Sequence, residues 1–427
     1  MEPWSSQPYF VDKSKVVKHF VRDPHKIVMI SAPQGFLKST NMRLMATFVD
    51  GISSQAVTDR RKALWHEMGL RIMKEADIVD KFFGQWPYVH LSLPLGGPSS
   101  FLYSMAAVIH DLFRRHQTVL LSGRLSPTQK FNFEIYQHFG GAHGGDAGER
   151  KLADAVAVLC DILSTHYRKP VYVFVDNYDF PLLEALAKDK PIVNVQPFLS
   201  KMLHSLHQSK AVKKVLLNGC SGYTGSQDDS LVKVYRFLHD HKFSKYYGFV
   251  EDDIIRLVNK NHCSYEITRQ ILGQHYHTVH SGCKMYSPEW SLDFLKHNLI
   301  ENPVWFEDIL HKAVMRTVSM HQRLAPLQRG KVTKAMVLQP NTHSDLLQLN
   351  RLLNSVIGDL ENDEVELIMR LLFDLGVFTP AEASSGSFSL SRYCVGRDSI
   401  KLHTILTSRM AAKLPVSSYC SQRNGQI

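Results

Sequence analysis

The stretch 27–49, IVMISAPQGFLKSTNMRLMATFV, restricts the chain more than any other. An apolar run, 27–30, enters a short loop that ends in Lys38-Ser39-Thr40, and Met42, Met45, Ala46 and Val49 follow at helical spacing. Strand, tight loop, Lys-Ser and helix in this order make a phosphate cradle. Backbone N–H groups at the helix N-terminus face the anion, the lysine adds a point charge for β- and γ-phosphates, and the next hydroxyl can hold Mg2+. The residues that could line such a cradle are Pro33, Gln34, Gly35, Phe36, Leu37, Lys38, Ser39 and Thr40. The usual pattern has glycine where Ala32 and Leu37 stand, and a Cβ at position 37 is expected to crowd phosphate. Taken alone, the stretch fits a buried strand and helix with an incidental lysine just as well.

A second run, VYVFVDNYDFP at 171–181, places five apolar residues ahead of an acidic one. That is a buried parallel strand with a carboxylate at its C-terminal edge, where open α/β sheets bind their ligands. In nucleotide-hydrolysing proteins such a carboxylate, here Asp176, holds Mg2+, and a neighbouring glutamate orients the attacking water. Asn177 occupies the neighbouring position, and its amide can bind a water but cannot accept its proton. Asp179 could replace a glutamate only if the loop turns it back towards the metal, and as a plain alternative Asp176 caps a strand end. A third apolar run, 215–217, ends in Asn218-Gly219, where a polar tip beside the nucleotide could sense a γ-phosphate or simply form a turn.

The rest of the first half alternates between the two periods. Helical spacing is expected near 9–20, 59–83, 101–115 and 152–167, and 86–93 reads as a further strand. Residues 140–148, GGAHGGDAG, read as a loop, since no Lys-Ser/Thr follows to make a second cradle. Four β-like runs alternating with helices predict a parallel α/β sheet.

At 427 residues, 44% hydrophobic and 21% charged, the chain has the composition of a globular protein with more than one domain. No apolar stretch approaches a membrane span and the N-terminus lacks an apolar run behind basic residues, which predicts a soluble intracellular protein, cytoplasmic or nuclear. Its six cysteines lack paired short spacing, as reduced thiols would. The net charge of +10 permits a polyanionic partner, yet the lysines and arginines are spread in small groups, so solvated faces explain them more economically. Among 22 histidines, His275, His277, His280 and Cys283 lie close enough to suggest zinc. No second ligand cluster follows at a recognised spacing, and surface histidines are the plainer reading.

Beyond about 250, helical spacing takes over, at Ile254, Leu257 and Val258, then Leu292, Phe294 and Leu295, then 346–357. A strand at Phe388-Ser389-Leu390 after a helix over 364–375 would give a winged-helix-like end.

Taken together, these runs resemble the AAA-ATPase-like family, a divergent branch of P-loop ATPases. Its opening Phe-Val-Asp-Lys-Thr block is similar to Phe10-Val11-Asp12-Lys13-Ser14. Its phosphate loop, Arg-Pro-Arg-Arg-Phe-Gly-Lys-Ser, resembles 32–39, and its acidic strand, Ile-Asp-Glu-Tyr-Asp-x-Pro-Leu, resembles 175–182. Further matches follow in order: Asn218-Gly219 for Thr-Gly, 247–250 for Phe-Gly-Phe-Thr, 286–291 for Tyr-Asn-Pro-Trp-Ser, and 364–379 for a helix with a Gly-Tyr-Leu-Thr turn. The resemblance implies a P-loop NTPase-like parallel-sheet core over 1–250 followed by a mainly helical lid or arm over 251–413, with the winged-helix-like end noted above; the Ser- and Gln-rich stretch 414–427 reads as a disordered tail. The resemblance also implies ATP and Mg2+ at Lys38, Ser39 and Asp176, with Asn218 as sensor.

The departures fall at the chemistry. Gln34 and Gly35 replace two of the loop's arginines, Leu37 replaces its glycine, and Asn177 replaces the glutamate. The expectation is a pseudo-ATPase: ATP-binding with weak or absent hydrolysis, in which nucleotide acts as a conformational switch and a protein partner receives the signal. Any residual hydrolysis would fall to Asp179 or to a water held by Asn177. The alternatives are a non-catalytic interaction scaffold that no longer binds nucleotide, motivated by Leu37, and a nucleic-acid-handling protein, motivated by the basic balance.

Overall fold

The computed structural model describes residues 10–94, 98–138, 146–188, 195–237 and 240–260, together with residue 192 and shorter stretches between 276 and 390. At its centre is a five-stranded sheet of β1 (Ile27–Ser31), β2 (Tyr88–Ser92), β3 (Val171–Asp176), β4 (Val212–Gly219) and β5 (Lys233–Arg236), in the order β2-β3-β4-β1-β5. Every pair is parallel. β1 and β3 are buried along their whole length, as their unbroken apolar runs require.

The order of the strands decides where the helices go. The chain leaves β1 for β2 at the far edge and then returns through β3 to β4, which lies against β1. Right-handed crossovers therefore put the connections of the outward and return journeys on opposite faces. The outward connection carries α2 (Lys38–Val49), α3 (Gln55–Glu67) and α4 (Ala76–Phe82); α1 (Val16–Val21) packs beside α2, and its Phe20 sits against Tyr172 and Phe174 of β3. The return journey carries α5 (Pro98–Arg115), α6 (Pro127–Gln137), α7 (Asp146–Tyr167), α8 (Phe180–Ala187) and α9 (Gln196–Gln208), with α7 and α9 packed on each other and on β4. The C-terminal edge of the sheet then brings together the ends of β1, β4 and β3, which is the crevice where sheets of this kind bind ligands.

The expected parallel sheet is present, with one strand more than the sequence suggested. β5 has only four residues at the sheet edge, exposed at its start and buried at its end, so it lacks the long apolar run that marks β1 and β3. Helix α7 begins at Asp146, inside the stretch expected to be a loop, while 139–145 lie outside the described residues.

After β5 come α10 (His241–Tyr247) and α11 (Glu251–Lys260), then the antiparallel pair β6 (Tyr276–Thr278) and β7 (Lys284–Tyr286). Strand β8 (Thr333–Lys334) comes next, then helices α12 (His343–Asn354) and α13 (Asn362–Asp374), then β9 (Phe378–Pro380) and β10 (Ser387–Leu390), and the three strands form a small antiparallel sheet ordered β8-β10-β9. The strand expected at 388–390 is present as part of β10, paired with β9. The region is mainly helical, but the hairpin β6–β7 was not anticipated: three-residue strands carry no period to read. The expected tail at 414–427 lies outside the described residues.

Candidate functional site

The loop between β1 and α2 starts with the Ala32 N–H donating to the Gly219 carbonyl, 3.0 Å, which ties it to the tip of β4. Gly35 has φ +82°, the left-handed conformation that favours glycine. Leu37 has φ −67°, outside the left-handed region that calls for glycine. Its N–H does not face into the loop; it donates to the Tyr247 carbonyl at 3.0 Å. The loop thus keeps a glycine where its own turn needs one, and the N–H usually offered by the residue before the lysine is already taken. The first-turn N–H groups of Ser39 and Thr40 find no backbone acceptor among the described residues, as expected at a helix start.

Lys38 opens α2 and is buried. Its Nζ donates to the carbonyls of Ala32 and Pro33, both at 2.7 Å, so the ammonium is folded into its own loop. Phe36 is buried with its ring 4.5 Å from that of Phe237, whereas Gln34 and Thr40 are exposed. The Cys220 thiol, pushed up to about 11 mainly by burial, remains a neutral neighbour of Lys38.

Asp176 ends β3 beside β4, and Asn218, one position before the end of β4, lies between it and β1, paired with Ile30. The Asn218 amide donates to the Lys38 carbonyl at 2.8 Å, joining β4 to the first turn of α2. Its Oδ1 is buried and has no partner among the described residues. The hydroxyl of Tyr247 is in the same condition; burial pushes its pKa up and the nearby Asp176 charge adds to the effect. Two unsatisfied buried oxygens close to one carboxylate are uncommon, and they mark a place where a ligand, ion or water fits.

Asn177 has φ +54°, a conformation asparagine accepts far more readily than glutamate. Its Nδ2 donates to Ser92 Oγ at 2.9 Å, across to the tip of β2. Asp179 turns the other way. Its carboxylate accepts from the N–H groups of Cys220 and Ser221 and from Ser221 Oγ, the last at 2.7 Å. The approach needs Gly219, since a Cβ there would come within 2.8 Å of Asp179 Cγ. Burial raises the Asp179 pKa despite these donors. A place for Asp179 beside the metal was expected only if the loop turned it back; in the structure its carboxylate fastens the chain leaving β4.

Ser92, Tyr247, Ser287 and Glu289 were not expected near the site. The 247–250 and 286–291 stretches were noticed only as blocks of resemblance, and nothing in their sequence says that they meet the loop. His275 and His280 lie outside the described residues, and the described residues contain no His, Cys, Asp or Glu group suited to a metal. No helix among them is long and apolar enough to cross a membrane.

A parallel sheet with a loop and Lys-Ser at the end of one strand, an acidic residue ending another and a polar tip between them defines the P-loop ATPase-like class. The family described as Predicted AAA-ATPase matches residues 4–227, more than half of the 427 residues, and the chain belongs to that family. Among solved structures it is similar to a Walker-type ATPase of Pyrococcus abyssi, at 8% identity and a TM-score of 0.40, over 92% of this chain and 94% of that one. No curated protein sequence matches it.

Proposed function

We propose that this chain binds ATP and hydrolyses it weakly or not at all, with the nucleotide acting as a conformational ligand between the sheet and the second half. The observation that carries the reading is the convergence of Lys38, Asn218 and Asp176 at the ends of three neighbouring elements, with the unsatisfied oxygens of Asn218 and Tyr247 among them. Lys38 would meet the β- and γ-phosphates after leaving the Ala32 and Pro33 carbonyls, and the Ser39 and Thr40 N–H groups would face the anion. Ser39 and Asp176 would hold Mg2+, which supplies charge neutralisation when bound. Asn218 would sense the γ-phosphate.

Weak hydrolysis follows from what surrounds Asp176. Asn177 cannot take a proton and its amide is tied to Ser92, while Asp179 is bound to the backbone at 220 and 221. No carboxylate of this loop is left beside Asp176 to orient a water as a base. The test is equilibrium binding of ATP with and without Mg2+, together with phosphate release. Binding strengthened by Mg2+ in the wild type but not in Asp176→Asn, with little turnover, supports the reading. Rapid turnover by the wild type contradicts its second half.

One observation favours a different reading, a scaffold that does not bind nucleotide: the Leu37 N–H and the Lys38 ammonium are both satisfied within the protein. Absence of ATP binding in the same titration would select it.

A further inference from the structure

The tip of the phosphate loop is held from the far half of the chain. The Gly35 carbonyl accepts from the Glu289 N–H at 3.0 Å and from Ser287 Oγ at 3.1 Å, a contact that joins positions 252 residues apart. The fit depends on the missing side chain: a Cβ at position 35 would lie 2.7 Å from Ser287 Oγ and 3.3 Å from Glu289 Oε2. The segment that reaches the loop is anchored behind. Phe249 and Tyr286 exchange backbone hydrogen bonds of 2.9 and 2.8 Å, and Ser291 Oγ donates to the Ser287 carbonyl at 2.8 Å. Ser287 and Ser291 are buried, whereas Glu289 stands at the surface over the loop.

Three features of the loop now have one explanation. The Gly35 carbonyl and the Leu37 N–H both point to the second half, to 287–289 and to Tyr247. The Lys38 ammonium lies on the loop's own carbonyls, within electrostatic reach of the Asp179 carboxylate. A carboxylate stands at the mouth of the cradle, where its charge opposes an approaching polyphosphate. Position 35, an arginine in the family loop that this chain resembles, is here a glycine, which takes a cation out of the loop and opens the room that Ser287 and Glu289 occupy.

We propose that residues 284–289 form a strap that holds the phosphate loop closed, and that a triphosphate entering the loop displaces the Glu289 carboxylate, so that the second half governs access to the site. This rests on the ATP reading above and adds its regulation. Because binding is reciprocal, whatever pulls the strap away raises ATP affinity, and ATP loosens the strap by the same factor.

The experiment uses the full chain and two variants, Glu289→Gln, which removes the charge and keeps the shape, and Ser287→Ala, which removes one tie. ATP affinity is measured by titration, and amide hydrogen exchange is followed over 33–41 and 284–289. The proposal expects Glu289→Gln to bind ATP at least about fivefold more tightly than the wild type. It expects Ser287→Ala to exchange faster over 33–41 without nucleotide, and ATP to speed exchange over 284–289 in the wild type. ATP binding of equal strength in the wild type and Glu289→Gln, or exchange over 284–289 that ATP leaves unchanged, overturns the strap and leaves the ATP reading standing. Folded proteins that all fail to bind ATP overturn the ATP reading, and its regulation with it.

Discussion

At the scale of single residues, the local surroundings of Asn177 and Asp179 show what each side chain does in the fold. Asn177 suits a left-handed backbone position and reaches Ser92, so restoring the family's acid as Asn177→Glu both adds a carboxylate beside Asp176 and strains the turn. Phosphate release by this variant should rise several-fold over the wild type, with a small loss of stability in denaturant titration. Asp179 is the opposite case, a carboxylate that resembles a catalytic group in sequence and is structural in the fold. Removing it as Asp179→Ala leaves the N–H groups of Cys220 and Ser221 buried without an acceptor, at a cost of about 3 kcal/mol or more in unfolding free energy.

Asp23 gives the residue scale its pH dependence. Its carboxylate is buried, which works to raise its pKa, but Lys242, the Tyr235 hydroxyl and the His25 N–H outweigh burial and hold it well below the usual carboxylate range. A folded-state value below the unfolded one means that the unfolded chain takes up the proton first. The contribution of Asp23 is therefore complete above its ordinary range and disappears as pH falls below about 4. Asp179, whose value burial raises, has the reverse sign: its contribution is fullest at acid pH and declines as pH rises. Denaturant unfolding from about pH 2 to pH 5 should show a shallower acid limb for Asp23→Asn than for the wild type.

At the scale of elements, what could be read in the sequence was what carried a long, one-sided pattern. β1, β3 and α2 announce themselves because each buries a continuous face, and their order alone places Lys38 and Asp176 at one edge of a sheet. β5, β6 and β7 are too short to hold a period, and their existence depends on neighbours. The same holds within the site. Lys38, Ser39, Asp176 and Asn218 belong to the ends of legible elements, whereas the tie from Asp179 to Cys220 spans 41 positions and the tie from Ser287 to Gly35 spans 252. Contacts of that kind are fixed by packing and leave no local trace.

The attachment of the second half is also an element-scale property. Arg236, at the end of β5, donates to Asp374 of α13 from Nε and Nη2, at 2.8 and 2.6 Å, and both residues are buried. Asn341 completes the joint by donating to Asp374 Oδ2 and to the carbonyl of Ser221, the residue that Asp179 holds. Arg236→Ala strands a buried carboxylate and should cost about 3–5 kcal/mol in unfolding free energy. The double variant Arg236→Met/Asp374→Leu should recover most of that loss, which a thermal unfolding comparison of the three proteins would show.

At the scale of the whole molecule, two of the places that join the sheet to the second half flank the candidate nucleotide site: the contact over Gly35 and the Arg236–Asp374 joint. A ligand that opens the first while the second holds would change the relation of the two halves without separating them. The account stands on ATP entering the loop at Lys38, and calorimetric titration of the full chain with Mg-ATP, beside Lys38→Ala, tests it most directly. It predicts saturable binding by the wild type that weakens about 10- to 100-fold or more in the variant, the loss expected for a hydrogen-bonded charge. Equal binding by both proteins, or none by a folded wild type, would contradict it.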